Sequence, residues 1–72
     1  MSYPNLRAEM ARNGIGIKEL MDVTGKSRPA ISNNLNGKGP FTVDESVSIK
    51  TILFPSMSID YLFAEKPIET AI

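Results

Sequence analysis

Ile17-Lys18-Glu19-Leu20-Met21-Asp22-Val23-Thr24, then Gly25-Lys26-Ser27, then Arg28-Pro29-Ala30-Ile31-Ser32-Asn33-Asn34-Leu35-Asn36 and Gly37, is the stretch whose reading decides the fold. Ile17, Leu20, Met21 and Thr24 follow the i, i+3, i+4, i+7 spacing of one helical face, which predicts a helix over 17–24. Gly25 ends it, because a turn of only three residues needs a backbone angle that glycine adopts cheaply. A second helix over 28–36 has Ser27 as a candidate N-cap, Ile31 and Leu35 as an i, i+4 apolar pair, and Gly37 at the left-handed position beyond its end. Two short helices joined so tightly cross steeply and pack Leu20, Met21, Ile31 and Leu35 in the angle between them. The face of the second helix turned away from that packing carries Arg28, Ser32, Asn33 and Asn36. These are polar side chains of the kind that read base edges in a DNA major groove.

Outward from this pair, Gly and Pro divide the chain into further pieces of helical length. Pro4 suits a first helical turn, Leu6 and Met10 are four apart, and Asn13-Gly14 is a C-terminal stop, so a helix is expected over 4–13. Thr42-Val43-Asp44-Glu45 is a capping box that opens a helix over 43–53. Phe41 precedes that cap, but Ser46 stands where its hydrophobic-staple partner would be, so the staple is missing. Pro55 closes the helix by disfavouring α geometry at Phe54. Ser58 and Asp60 mark the start of a last helix over 59–64. No stretch alternates with period two for long enough to make a strand. The expected fold is therefore an all-α bundle of five helices. Its expected core is Leu6, Met10, Ile15, Leu20, Met21, Ile31, Leu35, Phe41, Val43, Ile49, Leu53, Ile59, Leu62 and Phe63.

A chain of 72 residues has room for one domain and a small core. It contains neither Cys nor His, which excludes disulfides, zinc fingers and the commonest nucleophiles and general bases. Asp44 and Glu45 are better read as helix-start residues than as a catalytic pair. Gly37-Lys38-Gly39 lacks the context of a phosphate-binding loop. No enzyme activity is expected. No window approaches the ~18 apolar residues of a membrane span, and the first residues lack a signal-peptide pattern, so a cytoplasmic protein is expected.

Eight basic and eight acidic residues cancel, yet they are segregated. Residues 1–40 carry Arg7, Arg12, Lys18, Lys26, Arg28 and Lys38 against Glu9, Glu19 and Asp22. Residues 41–72 carry Lys50 and Lys66 against Asp44, Glu45, Asp60, Glu65 and Glu69. The first part has three cations in excess and the second three anions, and a local basic field is what a DNA phosphate responds to. Two ordinary solvated faces explain the same distribution.

The runs Asn5-Leu6-Arg7-Ala8-Glu9-Met10, Ile17-Lys18-Glu19-Leu20, Ser27-Arg28, Ile31-Ser32-Asn33 and Leu35-Asn36-Gly37-Lys38 resemble the phage-repressor (XRE/Cro-like) helix-turn-helix family. Pro40-Phe41-Thr42-Val43-Asp44-Glu45 and Met57-Ser58-Ile59-Asp60-Tyr61-Leu62-Phe63 are similar to small Cro-like proteins of temperate phages. The size and both ends look like the modulator-of-repression (anti-repressor) proteins of lactococcal phages.

The resemblance implies a helix-turn-helix DNA-binding domain over 1–64 with a short tail over 65–72. Its implied function is transcriptional regulation of a phage lysis/lysogeny switch inside the host bacterial cell, and it implies no cofactor or metal. Arg28, Ser32 and Asn33 fall on the base-reading positions, and Lys18, Lys26, Ser27, Asn36 and Lys38 on phosphate-contacting ones. The backbone N–H groups at the start of the second helix are expected to face a phosphate. Operator DNA, bound as a homodimer or together with a phage repressor, is the implied partner. No small-molecule substrate or membrane is implied. The alternative is an anti-repressor that keeps the fold and acts mainly by binding a repressor protein.

Four positions depart from the family pattern. Met21 stands where a small residue is usual, Lys26 where the turn is usually apolar, and Asn34 where an aromatic or aliphatic residue is common. Pro29 lies in the first turn of the third helix, which leaves either Ser27 or Arg28 as its cap.

Overall fold

The computed structural model describes residues 2–65. Five helices make up the fold: α1 (Pro4–Asn13), α2 (Ile17–Thr24), α3 (Arg28–Leu35), α4 (Val43–Leu53) and α5 (Ile59–Leu62). Among the described residues there is no strand. α2 packs on both α3 and α4, while α5 bridges α1 and α4. Each helix sends one aliphatic side chain into complete burial: Leu6, Leu20, Ile31, Ile49 and Leu62. Burying such a side chain contributes about 1.5–3 kcal/mol before conformational entropy is counted. One knob from every helix therefore joins all five into a single core.

The helix ends follow from local chemistry. Ser27 caps α3 by accepting from the Ala30 N–H, Thr42 caps α4 by accepting from the Glu45 N–H, and Ser58 caps α5 by accepting from the Tyr61 N–H. The start of α3 is thus settled in favour of Ser27, with Pro29 in the first turn, where a missing N–H costs nothing. Gly25 follows α2 at φ 76° and donates to the Met21 carbonyl at 2.8 Å.

α3 stops one residue short of expectation because Asn36 leaves helical geometry and Gly37 turns left-handed at φ 86°. α5 ends at Leu62, since Phe63 at φ −106°, ψ 19° already belongs to a turn. The expected tail lies almost wholly outside the described residues.

Five expected core residues, Ile15, Met21, Leu53, Ile59 and Phe63, are only half-buried, and the core departs from expectation more sharply at three further places. Val43, the first residue of α4, is 76% exposed. Tyr3 and Phe54, absent from the expected core, are both buried. Tyr3 caps α1 with a left-handed backbone at φ 56°, ψ 56°, a conformation that costs a non-glycine residue about 1–2 kcal/mol. Its ring offsets that cost by packing against Phe41 at 5.2 Å and Phe63 at 5.7 Å, and its hydroxyl accepts from the Phe41 N–H at 3.0 Å.

A second polar tie joins α1 to α5. Asn5 Nδ2 donates to the Tyr61 carbonyl at 2.9 Å, and the Tyr61 hydroxyl donates to Glu9 Oε2 at 2.7 Å. The Glu9 carboxylate is buried and also accepts from Arg12.

Candidate nucleic-acid interface

α3 shows its polar residues away from the core, as its spacing requires. Ile31, Asn34 and Leu35 form the buried stripe, whereas Arg28 and Asn33 are exposed and Ser32 is half-buried. Asn36 Nδ2 donates to Ser32 Oγ at 3.4 Å, one turn apart, so these two side chains act as one polar unit. Lys18 on α2 and Lys38 beyond α3 are both exposed. Ser27 uses its hydroxyl oxygen as the cap acceptor at 3.3 Å, which leaves its O–H free to donate outward.

Lys26 has a different setting. Its ammonium donates to Asn34 Oδ1 and, at 3.1 Å, to Glu45 Oε1, and it lies 5.3 Å from the centroid of the Phe41 ring. Asn34 in turn donates through Nδ2 to the Gly39 carbonyl at 2.9 Å and, more weakly, to that of Pro40 at 3.4 Å. Glu45 also accepts from the Thr42 N–H at 2.9 Å. Burial pushes the Glu45 carboxyl up, but the Thr42 N–H and the Lys26 ammonium together outweigh it and hold the group below its ordinary value.

Lys26 therefore ties the α2–α3 turn to the start of α4, and its charge is engaged inside the protein. Lys26 and Asn34 thus act as one hydrogen-bonded pair. The signal for it in the sequence is two polar residues on elements adjoining the same turn.

The start of α2 is also occupied. Gly16 precedes it with an extended backbone, and its N–H donates to Glu19 Oε1 at 2.8 Å. That hydrogen bond holds the Glu19 carboxyl below its ordinary value, so the group is an anion at neutral pH. Of the N–H groups at the start of α2, that of Gly16 is engaged by a carboxylate of the protein, as N-terminal helix donors readily accept anions.

Among the described residues no cluster of acidic side chains could hold a metal ion, and no helix is long and apolar enough to cross a membrane. Comparison of the chain with family models, curated proteins and solved structures gave no match.

Proposed function

We propose that the protein is a helix-turn-helix transcriptional regulator of a temperate-phage switch that docks α3 in the major groove of operator DNA. The observation that carries this reading is the α2–turn–α3 unit, which leaves Arg28, Ser32 and Asn33 off the buried stripe while Ile31 and Leu35 anchor the helix. Arg28 supplies a bidentate donor for guanine, and Asn33 a donor–acceptor pair for adenine. Lys18, Lys38, Asn36 and the Ser27 hydroxyl supply phosphate contacts that set the register. One such module covers only about 600–1,000 Å² of interface, so tight specific binding requires two copies or a partner repressor.

A second reading is favoured by a specific observation. Glu19 fills the Gly16 donor and Lys26 is engaged internally, so the unit has fewer free phosphate contacts than its sequence suggests. On that reading the same face binds a repressor protein.

Selection from a random duplex library followed by binding titrations distinguishes the two. Arg28→Ala is expected to cost about 1–3 kcal/mol on the selected site and relax one base preference. Lys38→Ala is expected to weaken all sequences alike and flatten the salt dependence by about one unit of slope. Failure to enrich any sequence, with or without a repressor present, refutes the DNA reading.

A further inference from the structure

Between the first turn of α4 and α5 lies an open hollow of about 410 Å³, lined by Phe41, Val43, Ser46, Ile59, Asp60 and Phe63. Phe41 and Ser46 are themselves buried, and the short Ser46 side chain leaves space that a larger apolar residue would take up. The floor is rigid, because the rings of Phe41 and Phe63 meet edge-on at 5.7 Å and both rest on Tyr3. One wall is Val43, the most exposed large apolar side chain among the described residues.

Asp60 lines the hollow, Asp44 follows Val43 in the first turn of α4, and both carboxylates are exposed. Neither has an ion-pair partner among the described residues, where the two salt bridges are Glu9–Arg12 and Glu45–Lys26. Lys50, the cation of α4, donates to the Pro55 carbonyl.

We propose that this hollow is a docking site for a basic amphipathic helix of a partner protein, which seats an apolar side chain on Phe41 and Phe63 and sets Lys or Arg against Asp44 and Asp60. An open groove with a preformed aromatic floor is the geometry that receives the apolar face of a helix. The charge of these two carboxylates decides the partner's sign, because like charges across an interface are strongly disfavoured. A two-fold pairing of this chain through the hollow would set these carboxylates against their own copies, which disfavours a second copy. The site shares no residue with α3, so the inference goes beyond the DNA reading and does not depend on it.

The test uses the whole chain and a fluorescein-labelled helical peptide with Leu at i, i+3, i+4 and i+7 and Lys elsewhere. A counterpart with Glu in place of Lys is the control, and anisotropy is the readout. The Lys peptide is expected to bind about five- to tenfold more tightly than the Glu peptide. Asp44→Lys combined with Asp60→Lys is expected to reverse that order. Val43→Ser, at an exposed position, is expected to weaken the Lys peptide several-fold while the thermal midpoint and any DNA binding stay unchanged. Equal affinity for both peptides, no binding of the Lys peptide, an order unchanged by the charge reversal, or an unaltered Val43→Ser titration each overturns the proposal. So does sedimentation showing a dimer of the free chain that Val43→Ser dissociates, since the hollow would then be filled by a second copy.

Discussion

Lys26→Met and Asn34→Leu, alone and together, test whether the polar clamp behind the α2–α3 turn acts as a unit. In the parent protein the Lys26 ammonium bonds Asn34 Oδ1 and Glu45 Oε1, and Asn34 Nδ2 bonds the Gly39 and Pro40 carbonyls. Removing Lys26 leaves the buried Asn34 oxygen without a donor, and a stranded buried polar group costs about 1–3 kcal/mol. Removing Asn34 leaves Lys26 with Glu45 and the Phe41 ring, and deletes the bonds to the Gly39 and Pro40 carbonyls, which water can partly replace because Pro40 is exposed and Gly39 half-buried. The double variant removes both sides of the Lys26–Asn34 bond and fills the space with carbon. It is expected to be less destabilised than the sum of the singles by about 1 kcal/mol or more. Urea denaturation followed by far-ultraviolet circular dichroism measures this directly. In a domain of this size, 1 kcal/mol corresponds to roughly 4–8 °C in thermal midpoint. Additivity within about 0.3–0.5 kcal/mol would refute the reasoning, since it would mean that the pair is not coupled.

Tyr3→Phe deletes the acceptor for the buried Phe41 N–H while keeping the ring, and is expected to destabilise by about 1–3 kcal/mol in the same denaturation assay. A hydrogen bond from Tyr61 holds the Glu9 carboxyl below its ordinary value of 4.5, more than burial raises it, with Arg12 acting in the same direction. Because the folded value is the lower one, this stabilisation is present above pH 4.5 and is lost as pH falls through the folded value. Glu9→Gln is therefore expected to flatten the acid side of a stability-versus-pH curve, and an unchanged acid limb would show that the bond to Tyr61 favours neither protonation state.

The helices were legible because each one carries both its period and its punctuation. The spacing of Ile17, Leu20 and Met21, the Ser27 cap, the Thr42–Glu45 box and the Ser58 cap all act within a few residues of chain, and local chemistry of that range is visible in a sequence. Tyr3 was not legible. It precedes Pro4, which ordinarily favours an extended backbone, and its left-handed geometry is held by rings thirty-eight and sixty residues further along. Phe54 sits between the last residue of α4 and Pro55, where no helical period points inward, yet it is buried. Val43 failed for the opposite reason: a valine at the start of a helix has the right chemistry for a core, yet at the first position of α4 it faces solvent. The candidate site divides in the same way. The exposure of Arg28 and Asn33 followed from α3's own periodicity. The setting of Lys26 depends on Glu45, nineteen residues away, through a contact that no local pattern encodes.

That setting changes the electrostatics of the proposed DNA complex. If Lys18, Lys26 and Lys38 all met phosphates, the lysines of one copy would contribute a salt slope of about −3, at roughly −0.9 per neutralised phosphate. With Lys26 engaged by Asn34 and Glu45, Lys18 and Lys38 remain, and the contribution falls to about −2. The Glu19 anion at the start of α2 opposes phosphate approach and lowers the attraction further. A chain with no net charge and two free lysines on its reading unit gains little from non-specific attraction. In the proposed complex, discrimination would then rest on base-edge contacts of Arg28, Ser32 and Asn33 multiplied over two modules, or on a protein partner that brings the missing charge. The exposed carboxylates Asp44 and Asp60 would suit such a partner, and on the proposed reading the basic half of the chain would face DNA and the acidic half a protein.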